Sequence, residues 1–321
     1  MMKKKKQSGF DVLVVGELNV DLILNRIEGF PVMSKEIIAE DMTVTLGSSS
    51  AIFANNLSIL GTRVTYLGKV GTDHFADLVC KSLSGSGVDI SNIINTKQFQ
   101  TGLTVAMNYD NDRAMVTYPG AMSDLSINDV TEEVLESASH MHLSSVFLQD
   151  GIGPDIVKVF RMARGKGLTT SLDPQWDPKE RWSLDLPALL PLVDVFLPNE
   201  EELKHLTGIK DTETALKKIQ PYSNTVVVKM GVNGALMLKE GQITHRRALL
   251  NNDVVDAIGA GDSFNAGFIH KFTSGASLET CLKFAILTGA INTTAAGGTA
   301  AFTSRENIMT LAMEKFKYTE K

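Results

Sequence analysis

The sequence predicts an α/β fold: a mostly parallel central sheet with flanking helices and a small β-sheet lid. Three observations carry this. Short apolar runs alternate with helical stretches over the first two thirds of the chain, the pattern of a parallel sheet covered on both faces. The last third is mostly helical. Ile37–Leu46 and Leu103–Pro119 mix polar and β-branched residues with no helix between paired runs, and so fall outside the alternation.

The first strand is expected at Asp11–Val15, an unbroken apolar run. Further buried strands are expected at Val64–Leu67, His142–Val146, Thr169–Leu172, Val193–Leu197 and Thr225–Lys229. Helical periodicity marks Ser50–Leu60, Phe75–Leu83, Gly153–Arg164, Glu200–Leu206 and Glu213–Ile219, then Asp262–Phe272, Leu278–Ala295 and Arg305–Phe316. Asn252–Val255 reads as strand-like. Asn111-Asp112 is expected to turn a hairpin between Thr104–Asn108 and Ala114–Tyr118. With Ile37–Leu46 and Leu22–Asn25 these strands are expected to form a small antiparallel sheet, a flap able to close over a ligand and exclude water; the plainer reading is edge strands of the main sheet. A single domain over 10–317 is expected, with lid strands from about 20–46 and 101–120; residues 1–9 form a basic tail.

Composition excludes several classes. The formal charge of −6 argues against a general nucleic-acid or anionic-membrane binder. No apolar stretch approaches the roughly 18 residues that span a bilayer, and no signal-peptide h-region follows Lys3–Lys6. Cys80 and Cys281 sit in apolar helical patterns without a C-x-x-C pair, as reduced core residues do. A cytoplasmic protein is expected. None of the six histidines has metal-ligand spacing.

Asp256-Ala-Ile-Gly-Ala-Gly-Asp262 precedes a long apolar helical pattern. Residues 259–261 can expose backbone N–H groups at a helix N-terminus, which suits an anion. A carboxylate inside such a cradle is out of place if phosphate is merely held. It makes sense if Asp262 accepts a hydroxyl proton while the N–H groups stabilise a transferring phosphoryl group. The plainer reading is an N-capped helix after a tight turn. No G-x-x-x-x-G-K-[ST] is present, and Gly16 stands alone after the first strand, so neither a P-loop nor a dinucleotide fingerprint is available.

Other strand ends offer polar residues where open α/β sheets bind ligands. Asn19 and Asp21 supply donors and acceptors for a polyhydroxyl substrate, or simply close Asx-turns. Gly47 and Ser48 allow close backbone approach, or cap a helix. Asn199 and Glu202 face the same way on a first helical turn and suit Mg²⁺ through water, or serve the helix dipole. Lys229, Gly231 and Gly234 meet nucleotide phosphates or form a solvated turn. Asp173-Pro174 orients a base or ribose, or ends a strand.

In this order the motifs resemble the ribokinase-like (PfkB-type) carbohydrate kinases over roughly residues 10–317. The carrying segments are 16–21, 47–61, 68–73, 199–202, 231–234 and 259–262. The resemblance implies a ribokinase-like three-layer sandwich with a β lid, and ATP-dependent phosphorylation of a primary hydroxyl. It implies Asp262 as catalytic base, with Gly259, Ala260 and Gly261 as anion hole. It places the sugar at Asn19, Asp21, Gly47 and Ser48, and the nucleotide at Asn199, Lys229, Gly231 and Gly234. Glu202 would organise Mg²⁺, and Asp256 matches a position that often helps bind a monovalent cation such as K⁺. By the same analogy a homodimer would pair through the lid. The chain departs from the pattern at Gly47-Ser48, at Ile52, where many sugar kinases carry asparagine, and at Ala257-Ile258. The first two bear on the sugar, the last on the cation.

A small sugar and ATP are therefore the expected ligands. A nucleoside kinase would need an apolar surface for the base, to which Phe53 could contribute. A sugar phosphate would need basic residues near the lid, for which Arg26 and Arg113 are the candidates. A sugar-responsive binding protein would not need Asp262, and a nicotinamide oxidoreductase lacks its fingerprint.

Overall fold

The computed structural model describes residues 9–109 and 112–319. In chain order the elements open with β1 (Phe10–Val15), β2 (Asn19–Ile27), β3 (Ala39–Leu46), α1 (Ser49–Ile59), β4 (Val64–Val70), α2 (His74–Gly85), β5 (Ile93–Asn95), β6 (Gly102–Tyr109) and β7 (Asp112–Tyr118). There follow α3 (Glu132–Glu136), β8 (Ala138–Ser144), α4 (Ile156–Gly165), β9 (Thr169–Asp173), α5 (Leu186–Leu189), β10 (Val195–Phe196), α6 (Glu200–Thr207) and α7 (Thr212–Ile219). The chain ends with β11 (Thr225–Lys229), β12 (Ala235–Lys239), β13 (Gln242–Arg246), α8 (Ala260–Thr273), α9 (Leu278–Asn292) and α10 (Arg305–Phe316). Side chains of Asp73, Asp211, Ser277 and Ser304 start α2, α7, α9 and α10 by accepting first-turn N–H groups.

Nine strands form the main sheet in the order β13-β12-β11-β10-β9-β8-β1-β4-β5. It is parallel from β11 to β5, and β12 and β13 add an antiparallel edge. Because successive side chains alternate across a strand, Val12 and Val14 enter one core with α1, α2, α8, α9 and α10. Leu13 and Val15 enter the other, with α4, α6 and α7. The result is a three-layer sandwich.

The outlying strands form a separate sheet, β3-β2-β6-β7, rather than extending an edge of the main one. Only its β2–β6 pairing is parallel. The expected turn at Asn111-Asp112 lies partly outside the described residues, as does the Lys3–Lys6 tail.

Three expectations shift. The strand expected at His142–Val146 lies at Ala138–Ser144, because Ser145 turns left-handed (φ 56) and a 3₁₀ turn follows. Asn252–Val255 is not a strand: no ladder among the described residues partners it, and Val254 and Val255 are exposed. The β12–β13 hairpin was not expected. Its turn is Glu240-Gly241, both at positive φ, a pairing outside the usual Asn-Gly or Asp-Gly signature. No helix among the described residues is long and apolar enough to cross a membrane.

Parallel pairing brings the carboxyl ends of β1, β8, β9, β10 and β11 to one edge. There they deliver Glu17, Ser145, Asp173, Asn199 and Lys229. The small sheet and the N-terminus of α8 close over the same edge, around a cavity of about 700 Å³.

Candidate active site

The polar end of the cavity is built by register. Asp21, Thr104 and Thr117 stand side by side across β2, β6 and β7, and all three line the cavity. Asn19 shares the face of Asp21 two residues earlier. Its Nδ2 donates to Asp21 Oδ1 (3.0 Å) and to Thr104 Oγ1 (2.9 Å). Burial pushes the Asp21 carboxyl up to about 6, against the Asn19 hydrogen bond and the charge of Arg113. A Cβ on Gly47 would lie 2.2 Å from Asp21 Oδ1 and 2.9 Å from Asn19 Nδ2, so only glycine leaves both polar groups in place. Arg113 lines this end. Arg26 is not among the lining residues and pairs with Glu40 on the surface.

Ser48 is a helix cap as well as a lining residue. Its Oγ donates to Glu17 O (2.7 Å) and accepts from Ala51 N (2.9 Å). Beneath it, Glu17 is 2% exposed and accepts from Ser50 N and the Ser50 hydroxyl. Burial raises its carboxyl pKa. Ile52 packs under Gly259 and Gly298, where a Cβ on either glycine would meet it. An apolar floor thus stands where an asparagine would have offered a polar group.

At the other end, α8 begins at Ala260 after Gly259, whose φ of 75 is the left-handed conformation that glycine adopts freely. The expected row of three open N–H groups is altered, because Ala260 N donates back to Ala257 O (3.2 Å). Gly259, Gly261 and Asp262 are the N–H groups here without a partner among the described residues. They sit at the positive end of a 14-residue helix. Asp262 is 6% exposed and lines the cavity. Burial lifts its pKa well above the usual carboxylate range. The nearby Asp173 adds to this, while Lys229 opposes it.

Lys229 is not a solvated turn residue. Its Nζ binds Asp173 Oδ2 at 2.6 Å and lies 3.4 Å from Asn265 Oδ1. A Cβ on Gly261 would be 3.8 Å from that nitrogen, so the ammonium stands beside the open end of α8.

Asn199 and Glu202 form a capping box. Asn199 Oδ1 accepts from Glu202 N (2.8 Å), and Glu202 accepts from Asn199 N (2.8 Å) and Nδ2 (2.6 Å). Burial and the charge of Asp173 raise Glu202 to about 7. No cluster of three or more His, Cys, Asp or Glu among the described residues could cage a metal. The surroundings do fit Mg²⁺ carried by a nucleotide. Buried Asp173, Glu202 and Asp262 face one ammonium, and Mg²⁺ characteristically keeps its waters and binds phosphates plus one or two carboxylates. Gly231 and Gly234 border the next stretch of cavity, whose walls turn apolar with Val232, Leu249, Val254, Ile286 and Ala290. Asp256 clasps two loops: Oδ1 accepts from Ile258 N and Oδ2 from Gly297 N, both at 2.9 Å.

All the expected site residues but Gly47 and Asp256 line this cavity, and Gly47 stands directly behind Asp21 and Asn19. Sequence reading passed over Gln175, whose Nε2 donates to both Asp173 Oδ2 (2.9 Å) and Asp262 Oδ1 (3.1 Å). It also passed over Glu17, although that residue lies inside the segment carrying Asn19. Their signal was position at strand ends: Glu17 stands within segment 16–21 after β1, and Gln175 follows Asp173-Pro174 at the end of β9.

A family model of pfkB family carbohydrate kinases matches residues 10–305. A ribokinase of Lactococcus lactis is 26% identical over 86% of this chain and 88% of its own. A 5-dehydro-2-deoxygluconokinase of Lacticaseibacillus casei is 26% identical over 86% of this chain and 87% of its own. Among solved structures, an E. coli chain assigned as ribokinase II, in complex with ATP and Mg²⁺, superposes with a TM-score of 0.81 at 25% identity. That match covers 95% of this chain and 99% of the other.

Proposed function

The chain belongs to the pfkB family of carbohydrate kinases, and from that premise we propose that it moves the γ-phosphoryl group of Mg-ATP to a hydroxymethyl group of a small sugar. One observation carries the reading. A buried carboxylate, Asp262, sits at the open N-terminus of α8 and lines the same cavity as Asn19, Asp21 and the apolar walls. The sugar hydroxyls meet Asn19 and Asp21, and the purine fits the apolar walls. Asp262 takes the hydroxyl proton as the new O–P bond forms and the bond to the ADP oxygen breaks. The N–H groups of Gly259, Gly261 and Asp262, with Lys229, stabilise the charge on the phosphoryl oxygens. Mg²⁺, met by Glu202 through water, would neutralise phosphate charge.

Related proteins named for ribose and for 5-dehydro-2-deoxygluconate support a compact acceptor without selecting one. Phe53 is buried against His142 rather than presented to the cavity, which disfavours a nucleoside acceptor. A monovalent cation at Asp256 and pairing of two copies through the outer face of the small sheet (Met42, Val44, Val116 and Tyr118, all exposed) extend the same reading.

The test is ADP release from Mg-ATP with D-ribose, 2-deoxy-D-ribose, D-fructose, 2-keto-3-deoxygluconate, 5-dehydro-2-deoxygluconate, adenosine and inosine. Turnover with a sugar and none with the nucleosides is the expected result. Tight binding of a sugar with no turnover would favour a sugar-responsive binding protein instead.

A further inference from the structure

We propose that Gln175 is a positioning residue for the base: its single side-chain amide ties Asp262 to Asp173 and selects which Asp262 oxygen faces the acceptor hydroxyl. This rests on the reading of Asp262 as base. Both Nε2 hydrogens are used, one on Asp173 Oδ2 at 2.9 Å and one on Asp262 Oδ1 at 3.1 Å. This bond fixes the rotation of the carboxyl, with Oδ1 turned to Gln175 and Oδ2 turned away from it, and the Ser49 hydroxyl is the other side-chain partner of the group. Asp173 is itself anchored, fully buried, by Lys229 Nζ at 2.6 Å and by Asn265 Nδ2. The amide therefore transmits a fixed point, the carboxyl end of β9, to a side chain on α8.

The backbone is built for this. Gln175 has φ 60, a conformation unfavourable to a residue with a Cβ. Pro174 precedes it, and the Gln175 backbone N–H donates to Asp173 Oδ1 at 3.4 Å. Trp176 follows, edge-on to Trp182 (4.9 Å, 87°) and to His205 (5.4 Å, 84°). An unfavourable conformation held from both sides, whose side chain ends on the base, marks a residue kept for its placement. A plain turn residue would need neither contact.

The amide also has an electrostatic task. Asp262 on α8 faces Asp173 from β9, Lys229 from β11 and Glu17 from the loop after β1, while Glu202 on α6 faces Lys229. Two carboxylates so close repel, and an N–H donated to each favours the ionised form of Asp262 over the protonated one.

The experiment labels aspartate carboxyl carbons with ¹³C and follows the resonance that Asp262→Asn removes through a pH titration. It needs no substrate. Gln175→Met keeps length without a donor, and Gln175→Glu keeps shape but adds a carboxyl. Gln175→Met is expected to raise the Asp262 midpoint by about one to two units, the scale of one charge-assisted hydrogen bond. Gln175→Glu is expected to raise it at least as far. With the fastest sugar of the panel, kcat should fall while KM for ATP holds. An unchanged midpoint in both variants, or failure of both to fold, overturns the proposal. Full activity in Asp262→Asn would instead remove the base and leave the measured Gln175 effect as a fact about an Asp pair.

Discussion

Gly47 shows how much of the site is decided at single residues. The volume its side chain would fill holds Asp21 Oδ1 and Asn19 Nδ2. Gly47→Ala is expected to push both aside and lower kcat/KM for the sugar by about 10²-fold, the usual penalty for misplacing a reacting partner by an ångström. KM for ATP should not change, since the nucleotide walls lie at the other end of the cavity. A sugar KM equal to wild type would place the sugar elsewhere. Asn19, Asp21, Gly47 and Asp262 were legible in the sequence because each stands in a motif whose spacing has a mechanical reason. Gln175 was not: its contact with Asp262 spans 87 positions and exists only once β9 and α8 meet. The bond from Ala260 N to Ala257 O was not legible either, because a helix start cannot show in advance which of its N–H groups folds back into the turn.

At the scale of elements, β8 and β9 carry a buried polar chain that the apolar pattern did not disclose. His140 Nδ1 and Nε2 bond Thr169 and Ser171 hydroxyls at 2.9 and 2.7 Å, and His142 Nδ1 bonds the same Ser171 hydroxyl at 2.7 Å. Burial depresses His140 to about 3 and His142 well below its ordinary value. Folded, both stay neutral; unfolded, both take protons below about pH 6.5. Their contribution is therefore intact above pH 6.5 and is lost as pH falls from there, down to about 3 for His140, at up to ~1.4 kcal/mol per pH unit each. His140→Gln should make the fall in melting temperature between pH 6.5 and 5 shallower than in wild type; parallel curves would contradict this. Long, uniformly apolar runs such as β1 and β11 were read to within a residue. The start of β8 was missed because its histidines and serines hid a strand that two neighbours complete, and β13 because it is an exposed edge with no alternation.

For the whole molecule, the cleft concentrates charge that folding would otherwise avoid. Asp173, Glu202 and Asp262 are buried around one ammonium, with Glu17 close behind. The Asp262 pKa is raised, so the folded state holds that proton more tightly than the unfolded chain does. Its burial is then without penalty below about pH 3.8, and stability is lost as pH rises through the folded value. Asp262→Asn is accordingly expected to raise the melting temperature of the ligand-free protein at pH 7.5, by about 1.5 °C for each kcal/mol relieved. The difference should shrink toward pH 4. A variant that melts lower at pH 7.5 would mean that the carboxylate holds the fold together. The three-layer sandwich and its separate small sheet were legible because patterning fixes layers. The depth of the charged cleft was not, because burial of a carboxylate depends on everything packed around it.

The central claim is that Asp262 is the base of a sugar kinase. It is tested most directly by ADP release from Mg-ATP in the presence of the fastest sugar of the panel, comparing wild type with Asp262→Asn. The variant is expected to bind Mg-ATP still by calorimetry and to lose on the order of 10²–10⁴ in turnover. Turnover equal to wild type would contradict it.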